Sequence, residues 1–159
     1  MLNITLIAVG TLKEGYLREA CAEYEKRLGA FCRLETVQIK EERLPDCPSR
    51  AEIAAGLEAE GARILAAMPP RAFRAALCVE GKQLSSEELA GTLGQIGTTR
   101  GALALVIGSS YGLSPSVKAA CDLRLSVSKL TFPHQLMRVL LLETVYRSLS
   151  ILHGGKYHK

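Results

Sequence analysis

The stretch Gly101-Ala102-Leu103-Ala104-Leu105-Val106-Ile107-Gly108 decides the fold. Six apolar residues held between two glycines read as a buried strand over residues 102–107. Working outward, Ser85-Ser86-Glu87-Glu88 opens a helix before it, and Ser114-Pro115 opens a short one after it, as N-cap and first helical residue. Further strands are expected over residues 3–9, 34–39, 75–79 and 122–127, with Gly81-Lys82 as a turn. Helical spacing of Tyr16, Leu17, Ala20, Tyr24 and Leu28 marks residues 13–28. Ser49 and Glu52 form a capping box for a helix that runs to Met68 and stops at Pro69-Pro70. Strands alternating with helices predict an α/β fold, a single domain with a largely parallel sheet flanked by helices, whose ligands bind beyond the carboxyl ends of the strands.

The final helix is expected over residues 133–152. Leu136, Met137, Val139, Leu140, Leu141, Leu142, Val145, Tyr146, Leu149 and Leu152 occupy most of its circumference, so it needs cover on two sides. Its own sheet supplies one. A second copy of the chain is the simplest source of the other, which predicts a homodimer.

The chain has 159 residues, 48% of them apolar and 23% charged, with a mean hydropathy of +0.13. This composition suits one folded domain and argues against disorder. No apolar run approaches the length of a membrane span, and Met1-Leu2-Asn3-Ile4 lacks the basic start of a secretory signal, so a cytoplasmic protein with no membrane partner is expected. The five cysteines include no C-x-x-C pair and no nearby histidine at ligand spacing. They read as reduced thiols, and no metal is expected. The net charge of +4 is unevenly placed: residues 124–159 carry six Lys and Arg against the single acid Glu143, and all three histidines. The tail Gly154-Gly155-Lys156-Tyr157-His158-Lys159 suits phosphate contacts, with Tyr157 free to stack on a base.

Gly108-Ser109-Ser110-Tyr111-Gly112 matches G-x-S-x-G, and Ser110, Asp122 and His134 or His153 follow a hydrolase triad order. Against a serine hydrolase using Ser110, the next helix starts only at Ser114-Pro115, which leaves an open loop in place of a tight elbow. P-loop and dinucleotide fingerprints are absent. Glu143 and Arg147, four apart, read as an ion pair. What remains is three loops at strand ends, residues 77–83, 108–113 and 127–133, plus a cationic helix and tail. A non-catalytic RNA-binding module stays open beside an enzyme.

These residues resemble a family: Leu105-Val106-Ile107-Gly108, Gly112-Leu113-Ser114, Ser128-Lys129-Leu130-Thr131-Phe132-Pro133-His134, Arg138-Val139-Leu140, Leu142-Glu143, Tyr146-Arg147 and Tyr157-His158-Lys159. The ordered set is similar to the SPOUT-class ribosomal RNA large subunit methyltransferase H (RlmH) family along the whole chain. It departs at Ser109, where glycine is common, and at Lys156, where proline often precedes the tyrosine. The resemblance implies a C-terminal trefoil knot, a homodimer, S-adenosylmethionine as methyl donor, and N3 of a pseudouridine in 23S rRNA of the assembled ribosome as acceptor. It implies a donor site at Leu77, Gly108, Val127, Ser128, Lys129, Leu130, Thr131 and Phe132. For handling the acceptor imide, Arg138, Tyr157 and His158 are the catalytic candidates: imidazole suits proton transfer and guanidinium suits an oxyanion or phosphate.

Overall fold

The computed structural model describes residues 1–158, with side chains through Tyr157. In chain order the elements are β1 (Leu2–Val9), α1 (Gly15–Leu28), β2 (Cys32–Ile39), α2 (Arg50–Ala67), β3 (Phe73–Gln83), α3 (Ser86–Thr99), β4 (Ala102–Ile107), α4 (Pro115–Ala119), β5 (Leu123–Ser126) and α5 (His134–Leu152), followed by a 3-10 turn at Lys156–His158. All strands are parallel, in the order β2-β1-β4-β3-β5.

Apolar runs are required because both faces of the sheet are covered. Ile4, Leu6 and Ala8 of β1, with Leu103, Leu105 and Ile107 of β4, meet Cys21 and Leu28 of α1, Leu93 and Ile96 of α3, and Leu141, Val145 and Leu149 of α5. Ile7 and Val9, with Ala104 and Val106, meet Ile64 of α2 and Val117 of α4. The result is a three-layer sandwich with α1, α3 and α5 on one side. Helices α2 and α3 each begin with a complete capping box, at Ser49/Glu52 and Ser85/Glu88. No helix among the described residues is long and apolar enough to cross a membrane.

Two boundaries differ instructively from expectation. Strand β3 does not end in a turn at Gly81-Lys82 but continues to Gln83 across a register break: Leu77 and Lys82 both pair with Leu125, so residues 78–81 leave the ladder. Gly81 is needed there for close approach, since a Cβ on it would lie 2.8 Å from the carbonyl of Arg124. Strand β5 is shorter than expected, because the Asp122 carboxylate accepts the Arg74 backbone N–H at 2.8 Å and fixes the chain just before the strand.

Helix α5 leaves β5 at the sheet edge and returns to β1. At its start Gln135 accepts the Lys13 backbone N–H at 3.1 Å, and Arg138 donates to the Gly10 carbonyl at 3.0 Å. Leu136, Leu140 and Ile151 remain half-buried and outside both core clusters.

Candidate active site

A cavity of about 680 Å³ opens beyond the carboxyl ends of β3, β4 and β5. Leu77, Ile107 and Leu125 line it from the strands. Three segments form its rim: the excursion 78–80, the loop 108–113 and the loop 127–133 (Lys129 excepted), with His134 and Met137 added from α5. Parallel strands present their ends on one side, so loops distant in sequence converge there.

Each loop has its own means of holding shape. After β4, the Gly112 N–H donates to the Ser109 carbonyl at 2.9 Å, closing a turn. This turn is why residue 108 is glycine: a Cβ there would lie 2.5 Å from the Gly112 carbonyl carbon. After β5, the Ser126 hydroxyl donates to the Ser128 carbonyl at 2.9 Å. The Ser128 hydroxyl accepts the Leu130 N–H at 3.0 Å, so hydroxyls shape a short turn. Leu130 is left 70% exposed at the rim.

Of the residues assigned to a donor site, Leu77, Gly108, Val127, Ser128, Leu130, Thr131 and Phe132 line the cavity, while Lys129 is exposed outside it. Sequence reasoning missed Glu80 and Lys118, which meet at the rim with Nζ–Oε1 2.5 Å. The lysine ammonium holds the Glu80 carboxyl below its ordinary range. No local signal announces this pair, because its members lie on the β3 excursion and on α4.

The catalytic candidates stand elsewhere. Arg138 is 5% exposed and does not line the cavity. One guanidinium N–H reaches Gly10, its Nε is unpartnered, and burial lowers its pKa. In this structure Arg138 ties α5 to the loop after β1. Tyr157 packs on the later turns of α5, its ring 4.8 Å edge-on from that of Tyr146 and 4.7 Å beneath the Arg147 guanidinium. Arg147 in turn pairs with Glu143 at 2.7 Å, as the spacing of four predicts. From Met137 to Glu143 the helix rises about 9 Å, so within one protomer this tyrosine docks apart from the cavity. The side chain of His158 lies outside the described residues.

The triad geometry of a hydrolase is not assembled. Ser110 sits in an open turn. The Asp122 carboxylate is engaged by the Arg74 N–H, and the His153 Nδ1 bonds the Leu149 carbonyl at 2.8 Å. Among the described residues no group of three or more His, Cys, Asp or Glu is placed to hold a metal ion.

Residues 2–158 match the family model described as "Predicted SPOUT methyltransferase". The chain belongs to the SPOUT methyltransferase family. This SPOUT chain is 46% identical to the ribosomal RNA large subunit methyltransferase H of Clostridium beijerinckii over 159 residues, covering 99% of this chain and 100% of the relative. It is 48% identical over 166 residues to the protein of the same name from Bifidobacterium adolescentis, with 99% and 100% covered. The crystal structure of a probable methyltransferase from Bordetella pertussis Tohama I shares the SPOUT chain's fold at a TM-score of 0.60 and 18% identity, over 93% of this chain and 96% of that one.

Proposed function

We propose that this chain is a homodimeric cytoplasmic enzyme that transfers a methyl group from S-adenosylmethionine to N3 of a pseudouridine in the 23S rRNA of the assembled ribosome. The observation that carries the reading is the cavity at the strand ends. Its volume falls within the roughly 300–1,000 Å³ usual for cofactor sites, and its lining combines apolar residues with serines and a threonine, as a nucleoside requires. Leu77, Leu130 and Phe132 would flank the purine, while amides and carbonyls between Val127 and Phe132 would read its edge.

When bound, S-adenosylmethionine supplies a methyl carbon activated by a sulfonium leaving group. The protein's task is then alignment of the attacking nitrogen and removal of its proton. Tyr157 and His158 suit that task from the tail. Because Tyr157 docks on its own α5 away from its own cavity, the reading places the tail at the cavity of the second subunit. Half-buried Leu136, Leu140 and Ile151 on α5 support that subunit's presence, since they need cover that the monomer does not give. The return of residues 127–138 from edge strand β5 to Gly10 beyond β1 supports the trefoil knot that the family resemblance implies.

Calorimetry with S-adenosylmethionine and mass-spectrometric mapping of 23S rRNA, with and without the protein, test the reading. Deletion of residues 156–159 is expected to abolish methylation with donor affinity nearly unchanged. Co-assembly with a cavity-disabled full-length copy is expected to restore activity in mixed dimers. Full methylation by the truncated chain would overturn the composite site.

A further inference from the structure

Two charged side chains at the cavity rim have no part in the account above. Among the described residues that line the cavity, Glu80 is the one carboxylate and Lys118 the one ammonium. They arrive from separate elements. Glu80 lies on the excursion created by the β3 register break, and Lys118 on α4, immediately after the loop that closes on Gly108. Neither is deeply buried: the side chains are 56% and 24% exposed.

We propose that Glu80 and Lys118 form the recognition site for the amino-acid end of the methyl donor, Glu80 accepting hydrogen bonds from its α-ammonium and Lys118 donating to its α-carboxylate. This assignment rests on the reading of the cavity as the S-adenosylmethionine site. The chemistry is complementary in both signs, since a zwitterion offers one cation and one anion a few bonds apart, and the rim offers one of each. An ion pair this exposed is only weakly held, so exchanging its internal contact for two contacts to a ligand costs little. The new contacts are charge-assisted hydrogen bonds, stronger than neutral ones, and they form next to the apolar walls that take the nucleoside.

The experiment compares S-adenosylmethionine with 5′-methylthioadenosine, which keeps the nucleoside and a methylated sulfur, now an uncharged thioether, but lacks the amino-acid end. Affinities are measured by calorimetry on the full chain for the wild type, Glu80→Gln and Lys118→Gln. Each substitution is expected to weaken S-adenosylmethionine by about tenfold or more while leaving 5′-methylthioadenosine within about twofold, the second ligand also serving as the control for folding. Equal losses for both ligands, or no loss for either, would overturn the assignment and leave the ion pair as a structural brace. Failure of the wild type to bind either compound would instead remove the reading of the cavity on which the assignment stands.

Discussion

The β1–β4 pair and the β3–β5 pair are both parallel, yet they serve opposite ends. The first runs in unbroken register from Asn3↔Ala102 to Ala8↔Ile107, with nearly every side chain buried. The second makes three pairs, releases residues 78–81, and then resumes with Leu125 used twice. Regular pairing consumes backbone hydrogen bonds and hides side chains, which gives stability and leaves nothing for a ligand. Where the register breaks, Cys78, Val79 and Glu80 are freed to line a cavity, and Val79 stands 47% exposed. The site is built where the ladder is given up.

The sharpest way to break this contrast is to damage each pair in turn. Leu6→Ala, at a fully buried position of β1, is expected to cost about 2–5 kcal/mol in urea unfolding, a large part of the stability of a domain this size. Gly81→Ala forces a methyl group against the β5 backbone and is expected to cost about 1–3 kcal/mol. It should also reduce donor affinity in calorimetry by displacing the excursion, which Leu6→Ala should not do at temperatures where the protein stays folded. Gly97→Ala sharpens the comparison from the other side: a Cβ on this α3 residue meets nothing within 4 Å, so the expected effect is a gain of about 0.4–1 kcal/mol, read as a raised Tm. The smallest effect is on thiol chemistry. Burial pushes Cys32 in β2 and Cys121 up to about 11 and raises Cys21 and Cys78 as well, so these four remain protonated thiols at pH 8. A disulfide reagent at that pH should modify exposed Cys47 first and Cys78 next, leaving Cys32 unreacted over the same period. S-adenosylmethionine should protect Cys78, which lines the cavity, and leave the Cys47 rate unchanged.

The same contrast explains what was legible in the sequence. Strand β4 and the capped starts of α2, α3 and α4 are written in contiguous residues, and periodicity and capping chemistry read them directly. The three site loops are legible as glycine- and serine-bearing segments at strand ends. Gly81 is a genuine signal that a turn rule misreads, because its cause is the Arg124 backbone of another strand, 43 positions away. Gly108 has a similar history, its constraint coming from Gly112. Arg138 carries the residue type of a surface or catalytic group, and only tertiary contact shows it buried against Gly10. Glu80 with Lys118, and Tyr157 with Tyr146 and Arg147, are pairings that no periodicity encodes.

The bond from Arg138 to Gly10 joins residues 128 positions apart, and α5 shares its core with β1. Contacts so remote along the polymer are entropically expensive to establish, and proteins that rely on them mature slowly. The greasy side of the opening strand therefore stays incompletely sheltered until the last long helix arrives. Until then the apolar surface that α5 will cover is open to aggregation.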